Sequence, residues 1–112
     1  MSVRDPVFRP IQGSTKTITT VANTSVSANW TGDAFNSAAA ETLEVCNTTV
    51  STVFVRTGIG ATTASAADYP VPANATRRFA VHILDDTAAV FLPTAGTVGA
   101  VYVTRGHGGT SA

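Results

Sequence analysis

The sequence predicts an all-β domain: a single antiparallel β-sandwich or jelly-roll-like barrel of about seven strands, with an extended N-terminal arm. Three observations lead there. Apolar and polar residues alternate over short runs bounded by turn formers. Only 12% of the 112 residues are charged, against roughly 25% in an average globular chain. Threonine fills 19 positions, and this β-branched polar residue suits the solvent face of a strand.

One domain is what this length accommodates. Seven basic and seven acidic residues cancel, and the one adjacent basic pair is Arg77–Arg78. Phosphate binding needs clustered Lys and Arg, so nucleic acid is not an expected partner. No run approaches the ~20 apolar residues of a membrane span, so no membrane association is expected. The N-terminus, MSVRDPVFRPIQG, has no apolar core of the signal-peptide kind and carries Asp5, Pro6 and Pro10. The expectation is a chain made and used without export.

Residues 1–14 read as the arm. Two prolines and the isolated apolar residues Val7, Phe8 and Ile11 suit an extended segment, one that lays these side chains on a surface, its own or a neighbour's. Residues 15–105 read as the sandwich. Residues 15–21 (TKTITTV) form the first strand, with Thr15, Thr17, Thr19 and Val21 on one face and Lys16, Ile18 and Thr20 on the other. Residues 25–30 (SVSANW) continue with Val26, Ala28 and Trp30 in register. Trp30 reads as a core or rim anchor, with a sugar-stacking platform as the sharper alternative. Around residues 33–41 (DAFNSAAAE) a loop across one end of the sandwich is the expectation, with room for one helical turn capped by Asp33 and too short to stand alone.

The central stretch is residues 42–60 (TLEVCNTTVSTVFVRTGIG), two short strands joined by a Thr/Ser/Asn turn, on which the other strands pack. Leu43 and Val45 alternate with Glu44 and Cys46. A small-residue loop follows, and the run Tyr69, Pro70, Val71, Pro72 cannot be a central strand because two ladder donors are missing. Residues 77–84 (RRFAVHIL) place Arg77, Phe79, Val81 and Ile83 on one face. A hairpin turn at 85–87 leads to a short strand, residues 88–92 (AAVFL). A further turn over residues 94–99 precedes the last strand, residues 100–105 (AVYVTR), and residues 106–112 read as a flexible tail.

Chemistry is sparse. Cys46 is the lone cysteine, so it reads as a packed residue and not as a nucleophile. His82, His107, Asp85 and Asp86 share no ligand spacing. No nucleophile, base and acid fall into a triad pattern, and the glycines open no helix that would cradle phosphate. The residues therefore lead us to expect no catalytic site, no metal and no cofactor. The four Asn-x-Ser/Thr sequons, at Asn23, Asn29, Asn47 and Asn74, are what chance supplies in a threonine-rich chain.

Taken in order, LEVCN, VFVRTG, YPVPANA, RRFAV and VYVTRGHG make a pattern. It resembles the small β-sandwich virion proteins of tailed bacteriophages and covers residues 42–109. The resemblance implies a non-enzymatic structural protein, a capsid decoration (cement) protein that oligomerises and stabilises the shell. Its partners would be further copies of itself and a phage major capsid protein. Its place would be the capsid surface of the virion, after synthesis in the host bacterial cytoplasm. Low-copy tail, neck or fibre components share the pattern, and a carbohydrate-binding module using Trp30, Tyr69 or Tyr102 is a reading of another class. The expected interface residues are Val7, Phe8 and Ile11 on the arm and Tyr69, Pro70 and Pro72 in the proline loop.

Overall fold

The computed structural model describes residues 7–31, 40–82, 84–93 and 97–109. These form nine strands: β1 (Arg9–Pro10), β2 (Lys16–Thr19), β3 (Thr24–Asn29), β4 (Thr42–Asn47), β5 (Val53–Gly58), β6 (Tyr69–Val71), β7 (Thr76–Ala80), β8 (Thr87–Leu92) and β9 (Ala100–His107). No helix occurs among the described residues. The helical turn expected around residues 33–41 lies outside them for residues 32–39, as does Ile83. Part of the expected turn at 94–99 does too.

The strands make two antiparallel sheets. One has the order β1-β9-β4-β7, with β2 also paired to β9, and the other is β3-β8-β5-β6. Eight of the strands pair in nested fashion: β2 with β9, β3 with β8, β4 with β7, β5 with β6. Two further pairings, β4 with β9 and β5 with β8, join the nested pairs side by side.

Burial follows alternation. Ile18, Leu43, Val45, Val101 and Val103 from the first sheet join Val53, Val55, Val71, Val90 and Leu92 from the second in one buried cluster. Each such side chain contributes about 1.5–3 kcal/mol when fully removed from water. Thr17, Thr19 and Val21 face solvent while Ile18 and Thr20 are buried, which is the face assignment their spacing predicts. The run TAAVFL of β8 is buried almost throughout: Ala88, Val90 and Leu92 belong to the core cluster, and only Phe91 is half-buried.

The connections differ from the sequence expectation. β4 and β5 do not form a hairpin; they lie in opposite sheets, and the chain arches over the core between them. The fully buried Asn47 holds the arch. Its amide nitrogen donates to the carbonyls of Ser51 (2.9 Å), Val71 (3.1 Å) and Pro72 (3.1 Å), and its oxygen accepts from Thr49 N (3.0 Å) and Thr49 Oγ1 (2.8 Å). β7 likewise stops at Ala80 and passes to the other sheet instead of turning back in a hairpin at 85–87. The Asp85 carboxylate accepts from the His82 N–H (3.2 Å), and Asp85 N donates to His82 O (2.9 Å), so a local turn replaces further ladder bonds.

Pro70 sits on β6, the edge strand of its sheet, where a missing donor is tolerated. β9 runs two residues past Arg105, to His107, pairing Arg9 with His107 and Pro10 with Gly106. That extension depends on Gly106, where a Cβ would stand 2.5 Å from Arg9 O and 2.7 Å from the Phe8 ring.

Candidate interaction surface

The residues expected at an interface fall on two sides of one edge strand, β7. Phe8 is half-buried, with its ring against Gly106, its Cβ and backbone against Gly109, and the Arg78 guanidinium over its ring face at 4.8 Å. Arg78 in turn donates to Glu44 at 2.8 Å. Ile11 is half-buried, and its N–H donates to Arg105 O at 2.9 Å. Residues 8–14 thus run beside β9 of their own chain, with Val7 exposed where the described residues begin. On the other side Tyr69 packs on Phe79 of β7, ring centroids 5.1 Å apart, and remains 47% exposed. Pro70 and Pro72 are exposed, and Val71 between them is fully buried. The two patches therefore share β7 as a common support, through Arg78 for Phe8 and through Phe79 for Tyr69. Thr76, Arg77, Arg78 and Gly109 line an open groove of about 400 Å³ along this edge.

The two ends of the sheets have opposite chemistry. At one end lie the loops β2–β3, β4–β5, β6–β7 and β8–β9. The segments 17–32, 45–55, 69–76 and 87–104, which include all four, contain no Asp, Glu, Lys or Arg. Val21, Val50 and Val98 are exposed there. Hydrogen bonds lace these loops together: Thr20 N to Gly99 O (2.9 Å), Thr48 Oγ1 to Ala100 O (2.6 Å), Thr97 N to Ser51 Oγ (2.8 Å) and Asn74 N to Thr49 O (3.1 Å). Asn23 and Asn74 both take the left-handed backbone conformation that tight turns require.

The other end gathers charge. Arg105 is 1% exposed, and its guanidinium donates to the carbonyls of Ala40 (2.7 Å) and Asp85, while its Nε has no partner. It stands over the Trp30 ring at 5.3 Å. Burial pushes the Arg105 pKa down, and Asp85 and Asp86 pull it back up. Trp30 is 2% exposed and donates from Nε1 to Ser14 O at 2.6 Å. It is therefore a core anchor and cannot serve as a sugar platform. Asp86 accepts from Thr31 Oγ1 (2.6 Å), Gly60 N (2.9 Å) and Thr87 Oγ1 (2.9 Å), and these bonds hold its carboxyl below the usual range. Glu41 meets His107 at 2.9 Å and Gly108 N at 3.3 Å. Desolvation raises the Glu41 pKa, but hydrogen bonds from its own N–H, His107 and Gly108 outweigh that and lower it.

Sequence reasoning missed the uncharged end. Its signal, four charge-free segments, lies in the composition, but only the topology brings them together. Among the described residues no three His, Cys, Asp or Glu side chains converge as a metal would need, and no helix is long and apolar enough to cross a membrane. The chain matches no family model, and no curated protein or solved structure is significantly similar to it.

Proposed function

We propose that the chain is a non-enzymatic structural protein of a bacteriophage virion, a capsid decoration protein that oligomerises and sits on the shell. The observation that carries this reading is the nested pairing of eight strands, β2 with β9 through β5 with β6. A long hairpin rolled so that its pairs divide between two facing sheets is a jelly-roll sandwich, an architecture of viral capsid and lectin domains. Fold alone does not select a function. The second support is a weakly charged exterior with exposed valine and tyrosine side chains, suited to a lattice in which many copies each make modest contacts.

In this reading the N-terminal arm, residues 1–14, contributes to attachment, and its residues 9–10 also pair with β9 of the same chain. Removing residues 1–6 should weaken attachment while leaving the sheets intact. Full attachment of the truncated chain would take the arm out of the proposal. The deciding experiment is the copy number of the chain in purified virions, by quantitative mass spectrometry against the major capsid protein. A simple fraction of the capsid copy number is the expected result. A handful of copies would move the protein to the tail, neck or fibres, and absence would end the virion reading.

A further inference from the structure

We propose that the open edge of β7 receives an extended, carboxylate-bearing peptide segment, which adds to the first sheet as a further strand. β7 ends that sheet, with β4 on its other side. In an antiparallel ladder alternate residues turn their backbone groups toward one neighbour. Asn47 N donates to Ala75 O and Val81 N to Glu41 O, so the odd-numbered residues of β7 face β4. The N–H and C=O groups of Thr76, Arg78 and Ala80 therefore point along the open edge. The Arg77 guanidinium already meets one of them, donating to Thr76 O at 3.1 Å. An incoming strand would exchange ladder bonds with Arg78 and Ala80, the means by which strand addition gains affinity.

Charge selects the occupant. Arg56 pairs with Asp68 at 3.3 Å and Arg78 with Glu44 at 2.8 Å, whereas the one partner of Arg77 among the described residues is the Thr76 carbonyl. Arg77 and Arg78 line, with Thr76 and Gly109, the open groove of about 400 Å³ beside this edge. Successive side chains of a strand alternate between faces, so the two guanidiniums flank the edge, one on each face of the sheet. A carboxylate opposite Arg77 on the added strand makes a favourable cross-strand pair, and a lysine there an unfavourable one. Next to Arg77 on the same face stands Phe79, with the Tyr69 ring against it at 5.1 Å between centroids. That pair is an apolar platform for the residue two positions from the carboxylate. The open edge of β3 carries no charged side chain, so it has nothing with which to make this selection. The inference goes beyond the reading above and does not rest on the virion.

The test is nuclear magnetic resonance titration of the full chain with the capped hexapeptide Thr-Val-Thr-Glu-Thr-Thr. Its antiparallel register sets valine opposite Phe79 and glutamate opposite Arg77. We expect saturable shifts of the Arg78 and Ala80 amide signals and slower hydrogen exchange at both. Lysine in place of the glutamate, or Arg77→Gln in the protein, should weaken binding about threefold. N-methylation of the peptide's third and fifth residues removes its donors toward β7 and should weaken binding about tenfold. Arg56→Gln, on the outer face of the other sheet, should bind as wild type does, and unchanged far-UV circular dichroism would show that each variant keeps the fold.

No saturable shift through the millimolar range overturns the proposal, as does equal binding by the lysine peptide, the N-methylated peptide or Arg77→Gln. An Arg56→Gln variant that loses as much as Arg77→Gln would show unspecific attraction and overturn it too. Inorganic phosphate that shifts the same amides with the same affinity would make Arg77 an anion site without strand addition, against the proposal. Amides of Arg78 and Ala80 that become protected with protein concentration alone would assign the edge to a second copy and overturn it. None of these measurements involves a virion, so the two readings fail separately.

Discussion

Asn47 and Arg105 hold corresponding places at opposite ends of the two sheets. Each is almost wholly buried, and each gathers backbone carbonyls that the strands leave over. The difference lies in what each brings with it. An amide donates and accepts in one side chain, so Asn47 satisfies three carbonyls and Thr49 while staying neutral. A guanidinium only donates and stays charged, so Arg105 draws in the Trp30 ring and the field of Asp85 and Asp86, and still leaves Nε unmatched. A neutral anchor lets its end of the molecule go without charge altogether. A charged anchor obliges the loops around it to carry acids.

Exchanging the anchors' character should break this contrast most sharply. Asn47→Asp faces three carbonyls with an oxygen in place of the amide nitrogen. We expect a loss of about 4 kcal/mol at neutral pH, measured by urea unfolding. The buried acid's folded pKa would lie above its unfolded value. Its penalty relative to wild type should therefore shrink as pH falls toward about 4, where the unfolded acid also takes up its proton. A penalty that is flat with pH would show that lost hydrogen bonds, and not charge, account for it.

The next effect belongs to the other end. Arg105→Met leaves the carbonyls of Ala40 and Asp85 without donors and should cost about 3 kcal/mol. Amide exchange at Thr49 and Ser51 should keep its wild-type order relative to global unfolding, since the far anchor is untouched. Faster local exchange there would mean the ends are coupled through the core.

These anchors also mark where the sequence stops being readable. Alternation placed Ile18, Leu43, Val45, Val101 and Val103 on faces that prove inward, and the proline count kept residues 69–72 out of any central strand. But alternation reports a face and not a neighbour, so residues 42–60 look like a hairpin although β4 and β5 belong to different sheets. Period two puts Arg105 on the same face as Val101 and Val103, but spacing does not show what would meet a charge there. Its burial is tolerated because carbonyls from residues 40 and 85, distant in sequence, meet it there. The two-residue β1 and three-residue β6 are too short to show any period. Of the expected interface residues, Val7, Tyr69, Pro70 and Pro72 are exposed while Phe8 and Ile11 are half-buried, and the valine-tipped end went unread because its four segments are scattered along the chain.

A smaller change probes how Arg105 is held. Trp30→Phe keeps an aromatic face but removes the bond from Nε1 to Ser14 O, and we expect a loss of about 1–2 kcal/mol. In a double-mutant cycle with Arg105→Met, non-additive losses would show that the two side chains act as one unit. Fully additive losses would reduce the contact to proximity.

The smallest effect is in acid. Asp86 has a depressed folded pKa, so its stabilisation is present above the unfolded pKa and is lost as pH falls through the folded one. The wild-type urea midpoint should drop below about pH 4, and Asp86→Asn should flatten that drop. An equally steep drop in the variant would assign acid sensitivity to Glu41 instead.

The nested pairing also has a consequence in time. β9 is the last of the nine described strands to be synthesised, yet it lies between β2 on one side and β4 on the other, and Lys16 pairs in register with Val103. Until β9 emerges from the ribosome, the first sheet has no centre, and β2 and β4 wait with open edges. Loop closure across nearly the whole chain must precede the contacts that reward it, which places folding in the slow range, about milliseconds to seconds. The nascent chain is then most exposed to wrong pairing just before synthesis of the domain finishes, and a chain cut short before Val101 would have no route to a closed first sheet.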